Sequence, residues 1–174
     1  IFIDWESFFG CGYEEVLEQE LLPALAAKWA FINYSAGQLG ENQLRLRTIK
    51  RTRLMRSKIN ALQAGPLKIF PVQLGLLHAG ESSRCARGEV TASEFMLDTF
   101  DSGTAILGNP DRLALPNDVW LDCSGDEYDY YHDRERWGQN PCFYRDDSAL
   151  YFNAHPAGYA TGKFGSASGF LTEF

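Results

Sequence analysis

The chain has 174 residues, of which 45% are hydrophobic, 14% aromatic and 22% charged, with a formal net charge of −7 at pH 7. This composition is typical of one globular domain with a sizeable core, and it excludes an intrinsically disordered chain. No apolar run approaches the roughly 20 residues that a membrane-spanning helix needs, and the negative net charge opposes non-specific binding to nucleic acid.

The cysteines and the amino terminus bear on compartment and metal content. The four cysteines include no C-x-x-C pair, which argues against a zinc site of the common spacing. Disulfides are one alternative; free, buried thiols in a reducing compartment are the other and the one we favour. Residues 1–5 contain no basic leader and no small-residue cleavage pattern, so we expect no secretory signal and a cytoplasmic location. We also expect no cofactor.

The first predicted element is an amphipathic helix over Glu14–Ile32. Leu17, Leu21 and Leu25 recur every four residues and form one apolar stripe. Four glutamates lie in its first turns, where the helix dipole favours negative charge. Pro23 interrupts the pattern, so we expect a kink or a restart of the helix there.

The charge of the next segment has a single sign. Residues 43–80 contain eight basic residues and no acid. Residues 1–42 contain seven acids and one base, and residues 81–174 contain sixteen acids and seven bases. A basic segment between two acidic ones is an electrostatic feature that calls for an explanation in the fold or in a partner.

Two interpretations of the local structure fit this basic segment. Arginines alternate with apolar residues over residues 44–54, which predicts a strand with one arginine-lined face. Met55, Ile59 and Leu62 are spaced as on a helix, and a Gly-Pro pair follows, so we predict a helix from about Met55 to Ala64. A single helix over the whole segment is the alternative.

Two further elements are predicted before the middle of the chain. Leu67–Leu77 (LKIFPVQLGLL) is a nearly continuous apolar run typical of a buried strand, although Pro71 favours an edge position or a bulge. Thr91–Phe100 is predicted to be a short helix, with Thr91 or Ser93 as its cap.

The second half of the chain alternates short apolar runs with turn residues, which is typical of a sheet. Strands are predicted at Ala105–Leu107, Val119–Cys123, Cys142–Arg145 and Ala149–Ala154, with a hairpin turn at Asp146–Asp147 and an edge strand within residues 158–174. We therefore predict a single α+β domain over residues 1–174, in which N-terminal helices pack on a mostly antiparallel sheet formed largely by the second half.

The basic segment is the first candidate functional site. It suits an oppositely charged protein surface. It also suits the phosphates of a nucleic acid, although no aromatic residue lies between Tyr34 and Phe70 to stack on bases. A solvated face, or pairing with the protein's own acids, is the alternative without a partner. The candidate binding residues are Arg45, Arg47, Lys50, Arg51, Arg53, Arg56 and Lys58.

The acidic run over residues 122–133 is the second candidate. Clustered carboxylates can bind calcium, and a histidine among them can bind a transition metal. The spacing does not match an EF-hand loop, because the mid-loop glycine and the terminal glutamate are out of place. A polar loop without a metal is therefore favoured. The metal-ligand candidates are Asp122, Asp126, Asp129 and Asp133.

The third candidate is a thiol nucleophile. Cys85 lies near an expected helix start, and two neighbouring arginines are expected to lower its pKa. His132 or His155 would act as the base, and Asp122 would orient it. Since nothing in the sequence brings these residues together, a structural role for the cysteine is favoured.

No motif of a known hydrolase, metalloprotease or nucleotide-binding site is present. The charge segregation and the abundant aromatic residues therefore favour a non-catalytic structural or protein-interaction protein, which associates with itself or with an oppositely charged partner and not with a membrane. A basic patch and acidic patches on one chain permit head-to-tail association. The alternatives are a nucleic-acid-binding protein that uses the same basic segment and a thiol hydrolase centred on Cys85.

Overall fold

The computed structural model describes residues 1–40, 43–46, 50–113, 118–129 and 136–171, except for the side chains of residues 50 and 51. The helices are α1 (Trp5–Phe9), α2 (Tyr13–Val16), α3 (Leu22–Lys28), α4 (Lys50–Leu62), α5 (Ser83–Glu89) and α6 (Thr99–Gly108). The strands are β1 (Phe2–Ile3), β2 (Phe31–Asn33), β3 (Leu44–Leu46), β4 (Leu67–Lys68), β5 (Val72–Ala79), β6 (Glu94–Met96), β7 (Trp120–Asp122), β8 (Asp126–Tyr128), β9 (Gln139–Arg145), β10 (Leu150–Pro156) and β11 (Phe164–Phe170).

The first predicted helix is confirmed up to Lys28, with an irregularity before its proline, but its predicted end at Ile32 is wrong, because Phe31–Asn33 form strand β2. Leu17, Leu21 and Leu25 are buried in the hydrophobic core, as their spacing predicted. A π-helical turn over Leu17–Leu21 joins α2 to α3, which restarts with Pro23 in its first turn. The missing N–H of a proline is tolerated at a helix start, so the restart places this residue where it breaks no hydrogen bond.

The basic segment contains a strand followed by a helix, as the first of the two interpretations predicted. The strand is β3, and α4 begins at Lys50 instead of near Met55. Met55 and Ile59 are buried on the inner side of α4. Residues 47–49 lie outside the part of the chain that the structure describes.

Nine strands of the described part of the chain form one mixed sheet, and the α+β prediction is confirmed. The main path of the sheet runs β2-β10-β9-β7-β11-β5, with β8 pairing both β3 and β9, and β6 pairing β11. Most pairings are antiparallel, whereas β2 with β10 and β7 with β11 are parallel. The strands β1 and β4 form a separate two-stranded ribbon. The second half of the chain supplies most of the nine strands, as predicted.

The two faces of the sheet bury different chemistry. On one face, which we call the apolar face, Leu121, Phe143 and Phe152 are cross-strand neighbours within the hydrophobic core. Successive side chains of a strand point to opposite faces. The buried residues Asp122 and Cys142, which are paired with each other across β7 and β9, therefore project from the other face, which we call the polar face.

Helix α5 covers the polar face through hydrogen bonds. The Ser83 hydroxyl donates to Asp122 Oδ2 at 2.9 Å. Arg87 reaches the adjoining loop and strand, where its guanidinium donates to the Ser124 carbonyl at 2.8 Å and to Asn140 Oδ1 at 2.7 Å. Buried polar groups are tolerated when they are paired in this way, so these contacts hold α5 against the sheet.

A row of stacked aromatic rings crosses four strands or their ends. The rings follow in the order Trp120, Tyr144, Tyr151, Tyr34. The ring centroids of successive pairs are 3.9, 4.8 and 6.0 Å apart, and the angles between their planes are 10°, 3° and 14°. Cross-strand aromatic pairs contribute about 0.2–1 kcal/mol each to a sheet. The row therefore stabilises the order of β7, β9, β10 and β2.

Two elements predicted between residues 91 and 107 are wrong. Residues Glu94–Met96 form the buried strand β6 instead of part of a helix. The helix begins later, at Thr99, because the Asp98 side chain caps it by accepting the Asp101 N–H at 2.8 Å. It then runs through Ala105–Leu107, which was predicted to be a strand.

Two predicted strands, the tail and the run Leu67–Leu77, exist but differ from the prediction in position or burial. The tail forms β11, which lies between β7 and β5 instead of at an edge. The run Leu67–Leu77, predicted to be one buried strand, is divided between β4 and the edge strand β5. The edge position agrees with the proline, but Leu76 and Leu77 are 70% and 59% exposed. Both leucines lie between Leu74 and Ala79, where the register with β11 is irregular, and Gly75 in this stretch adopts a φ of +90°.

The backbones of β5 and β11 approach each other so closely that we expect Gly165→Ala to destabilise the fold. A Cβ atom at Gly165 would lie 2.0 Å from the Gly75 carbonyl oxygen, which is backbone and cannot rotate away. Overpacking of this kind typically costs about 1–3 kcal/mol, and we expect a loss of about 3 kcal/mol in the free energy of unfolding. Urea denaturation followed by circular dichroism measures it. The matched control is Gly162→Ala, where no atom lies within 4 Å of the added Cβ, and an equal loss in both variants would contradict the prediction.

The sequence predicted no membrane-spanning helix and left the pairing of the cysteines open. Over the described residues, every helix is too short or too polar to cross a bilayer. The four cysteines are unpaired: Cys123 and Cys142 are buried, Cys11 is half-buried and Cys85 is exposed.

Candidate functional site

Two arginines of the basic segment are paired within the protein. Arg45 of β3 donates from Nε and a terminal nitrogen to Glu127 Oε2 at 3.0 and 2.8 Å, and its guanidinium lies 4.2 Å from the ring centroid of Trp137. Arg56 of α4 forms ion pairs with Asp98 and Asp101. These two side chains therefore agree with the alternative in which the basic segment pairs with the protein's own acids.

Other charges of both signs remain exposed on the helices. Arg53 and Lys58 are exposed on α4 and make no ion pair within the described part of the chain; we call this pair the basic surface. Arg47 and the side chains of Lys50 and Arg51 lie outside the description. The acidic surface is formed by four exposed glutamates of α2 and the π-helical turn, which also make no ion pair there: Glu14, Glu15, Glu18 and Glu20.

A groove of about 540 Å³ runs along the acidic surface. Three of the four glutamates line it, together with Tyr13 and Arg45. Negative charge that lines a concave surface attracts cationic side chains more strongly than the same charge on a convex one. The acidic surface is therefore shaped to receive a basic partner.

A buried cluster of three carboxyl groups lies behind α4, and we call it the carboxylate cluster: Asp98, Asp101 and Asp126. Arg56 bridges the first two. Asp126 Oδ2 accepts hydrogen bonds from the Tyr13 hydroxyl at 2.7 Å and from the backbone N–H at the start of α6 at 2.8 Å. Its Oδ1 has no partner among the described residues.

The surroundings of the carboxylate cluster shift its ionisation strongly. Burial raises the pKa of Asp101 to about 7, although the positive charge of Arg56 opposes this shift. Burial, and then the charge of Asp98, raise the pKa of Asp126 to about 8. Burial lowers the pKa of Arg56, but the charges of Asp101 and Asp98 outweigh it and raise the pKa above its usual value, so the guanidinium stays charged.

A cavity of about 250 Å³ adjoins this cluster, and Arg56 and Asp101 form part of its wall. Lys68, another wall residue, is buried and donates from Nζ to the Gln63 carbonyl at 2.7 Å. The charged residues of the wall are three cations (Arg53, Arg56 and Lys68) and three carboxyls (Asp4, Glu6 and Asp101). The wall also includes the aromatic residues Phe2, Trp5, Phe70 and Phe95. The cavity wall therefore carries charges of both signs.

The structure does not support the thiol-nucleophile hypothesis at Cys85. Its Sγ donates to Glu89 Oε1 at 3.3 Å, and this hydrogen bond and the charge of Glu89 raise the pKa of the thiol. The expectation that Arg84 and Arg87 lower this pKa is wrong, because Arg87 turns inward to the sheet. A raised pKa leaves less of the reactive thiolate.

The predicted pairing of a histidine with Asp122 does occur, but without Cys85. His155 Nε2 of β10 lies 2.8 Å from Asp122 Oδ1, and both side chains are buried. His155 Nδ1 lies 3.1 Å from the Pro156 carbonyl oxygen, so the hydrogen-bond partners of the ring are Asp122 and the backbone and not Cys85. His132 lies outside the described residues. This arrangement does not form a catalytic triad, whose base must contact the nucleophile.

The acidic run does not form an oxygen-only metal cage in its described part. Asp122 contacts His155, Asp126 belongs to the carboxylate cluster, and Asp129 accepts from Arg136 Nε at 3.2 Å. Asp133 lies outside the description. The three described aspartates therefore serve three different environments, whereas calcium requires six to eight converging oxygens.

The sequence analysis missed Asp98, Asp101 and Tyr13. The aspartates are 42 and 45 residues from Arg56, and Tyr13 is 113 residues from Asp126, so no local spacing indicates the cluster. The one available signal was the pair Asp98-Thr99, which resembles a helix start. No protein-family model matches this chain, and no curated protein or solved structure is significantly similar to it.

Proposed function

We propose that this protein is a non-catalytic assembly component that associates head-to-tail through its basic and acidic surfaces. The observation that carries the proposal is that exposed charges of opposite sign, without ion pairs in the described part of the chain, lie on two separate helical elements. Arg45 and Arg56 are already paired internally. Arg53 and Lys58 are therefore the described cations of the basic segment that remain for a partner.

A head-to-tail contact follows from having the two surfaces on one chain. The basic surface of one molecule would lie in the groove of the acidic surface of the next, and such heterologous contacts build rings or filaments. Each exposed ion pair contributes about 1 kcal/mol or less. The association is therefore of modest strength and weakens as salt screens it over about 10 Å at 0.1 M.

The test combines light scattering with charge reversal. The wild-type chain should form an oligomer at low salt that dissociates at high salt. Arg53→Glu/Lys58→Glu leaves only acidic surfaces, and reversing all four glutamates (Glu14→Lys/Glu15→Lys/Glu18→Lys/Glu20→Lys) leaves only basic ones, so each variant should be monomeric alone at low salt. An equimolar mixture of the two variants should associate again, because every acidic surface then meets a basic one.

The charge-conserving variant Arg53→Lys/Lys58→Arg is the matched control and should assemble as the wild type does. A wild-type monomer at every salt concentration would overturn the proposal. So would an oligomer that the two charge reversals leave unchanged, because its interface would then lie elsewhere.

A further inference from the structure

Three potential metal ligands converge on the polar face of the sheet because of strand register. Asp122 of β7 and Cys142 of β9 are directly opposite each other. Cys142 is also opposite Asn153 of β10, and His155 lies two residues further along that strand. Residues two apart share a face, so all three side chains project to the same side. One ligand atom from each lies within 4.8 Å of the others, and all three residues are buried.

We propose that Asp122 Oδ1, Cys142 Sγ and His155 Nε2 bind a divalent transition-metal ion, with zinc as the best fit. Carboxylate oxygen, thiolate sulfur and imidazole nitrogen are the three ligand types that zinc takes in proteins. Calcium and magnesium prefer oxygen alone, so the sulfur and the nitrogen select against them. Three protein ligands leave the fourth tetrahedral position for a water molecule or another small ligand.

The surroundings of the three ligands are those of a metal site. Metal-bound histidines donate their other ring N–H to a carbonyl or carboxylate, which fixes the ring. His155 Nδ1 lies 3.1 Å from the Pro156 carbonyl oxygen, and this leaves Nε2 for the metal. Ligating carboxylates are held in the same way, and the Ser83 hydroxyl donates to Asp122 Oδ2 at 2.9 Å while Oδ1 faces the site.

The ligand set needs only small side-chain movements to close on a metal. Zinc bonds of about 2.0–2.3 Å in a tetrahedron place the ligand atoms roughly 3.3–3.8 Å apart. Asp122 Oδ1 and His155 Nε2, now 2.8 Å apart, would separate by about half an ångström, and any pair near the 4.8 Å limit would close by about 1 Å. The Cys142 thiol would release its proton to solvent on binding.

The test is a titration of the full, metal-free chain with Co²⁺, which occupies zinc sites and has visible absorption. The expected result is one Co²⁺ per chain, with tetrahedral d–d bands and a thiolate-to-cobalt charge-transfer band that added Zn²⁺ removes. Cys142→Ser should lose the charge-transfer band. His155→Gln should weaken Co²⁺ binding the more strongly, and Ser83→Ala, which removes only a supporting hydrogen bond, should weaken it by about tenfold.

Two other cysteines supply matched controls. Cys123→Ser removes a buried thiol that follows Asp122 directly and belongs to the apolar face, and it should leave the band unchanged. Cys85→Ser removes the thiol of the exposed group formed with Glu81 and Glu89, and it should also leave the band unchanged. Loss of the band in Cys85→Ser with retention in Cys142→Ser would place the metal on the surface and overturn the proposal.

A second readout covers the case in which Cys142→Ser fails to fold. Zn²⁺ should raise the Tm of the wild-type chain, because a ligand that binds only the folded state stabilises it. The rise should be absent in His155→Gln and present in the Cys85→Ser control. Absence of both the Co²⁺ band and the Tm shift in the wild type would overturn the proposal and leave His155 and Asp122 as a hydrogen-bonded structural pair.

Discussion

Replacing Arg56 by methionine is expected to lower the free energy of unfolding by about 3 kcal/mol at pH 7. The change leaves Asp98 and Asp101 buried without the guanidinium that pairs with both, and breaking a buried ion pair from one side typically costs about 3–5 kcal/mol. The lower end applies because 31% of the Arg56 side chain is exposed and water can partly replace it. Urea denaturation at pH 7, followed by circular dichroism, measures the loss.

Two companion variants identify the cause of that loss. Arg56→Lys keeps the positive charge and loses the forked geometry, so it should be less destabilising than Arg56→Met. Arg56→Met/Asp101→Asn removes one of the two buried carboxyls that lose the guanidinium and should recover part of the loss. Asp101 is the better choice for this second change, because Asp98 also caps α6. If Arg56→Met were as stable as the wild type, the ion pairs would not contribute in solution.

The stability of the wild-type fold should fall as the pH rises from about 5 to about 8. The pKa of Asp101 is about 7 and that of Asp126 about 8 in the folded chain, against an ordinary value of 3.8. Between these pKa values the folded state keeps two protons that the unfolded chain releases. Their contribution to the free energy of unfolding is fully present below the pKa of the unfolded chain, and it is lost as the pH rises through the pKa of the folded chain. Each group contributes at most about 1.4 kcal/mol per pH unit.

Asp126→Asn tests this pH dependence at its main source. The asparagine carbonyl can accept the same bonds from Tyr13 and from the start of α6, and it cannot ionise, so the variant should lose less stability than the wild type between pH 5 and 8. Asp111→Asn, at an exposed carboxyl, is the control for losing one negative charge. Asp146 does not contribute to this pH dependence: the hydrogen bond from Ser148 lowers its pKa to about 2, so it titrates below pH 5. A wild-type stability that rises from pH 5 to 8 would contradict the prediction.

The elements that the sequence predicted correctly are those whose signal is local. The spacing of three leucines identified the first helix, and Asp146 marked a hairpin whose turn it does form, by accepting the Ser148 and Ala149 N–H groups. The segment Glu94–Met96 failed because its partner is distant: Met96 pairs with Ser168 of β11. Tertiary pairing of this kind overrides local propensity.

The candidate sites divide in the same way. The charge pattern identified the basic segment, but Arg45 and Arg56 find their partners 82 and 42–45 residues away. Asp122 and His155 were both named as candidates, and their contact spans 33 residues. Cys142 was not connected with them, because that connection depends on the register of β7, β9 and β10, and a single sequence does not contain the register.

The contrast between the two faces of the sheet also excludes a misfolded alternative. In β11, the Ser166 hydroxyl shares a hydrogen bond with Ser124 and the Ser168 hydroxyl donates to Glu94, while Ala167 between them lies in the core. A slip by one residue would exchange the faces, placing two hydroxyls in the core without partners, each at a cost of about 1–3 kcal/mol. The buried polar side chains thus make the slipped sheet several kcal/mol less stable than the native one. They therefore specify the register of β11 as well as stabilise it.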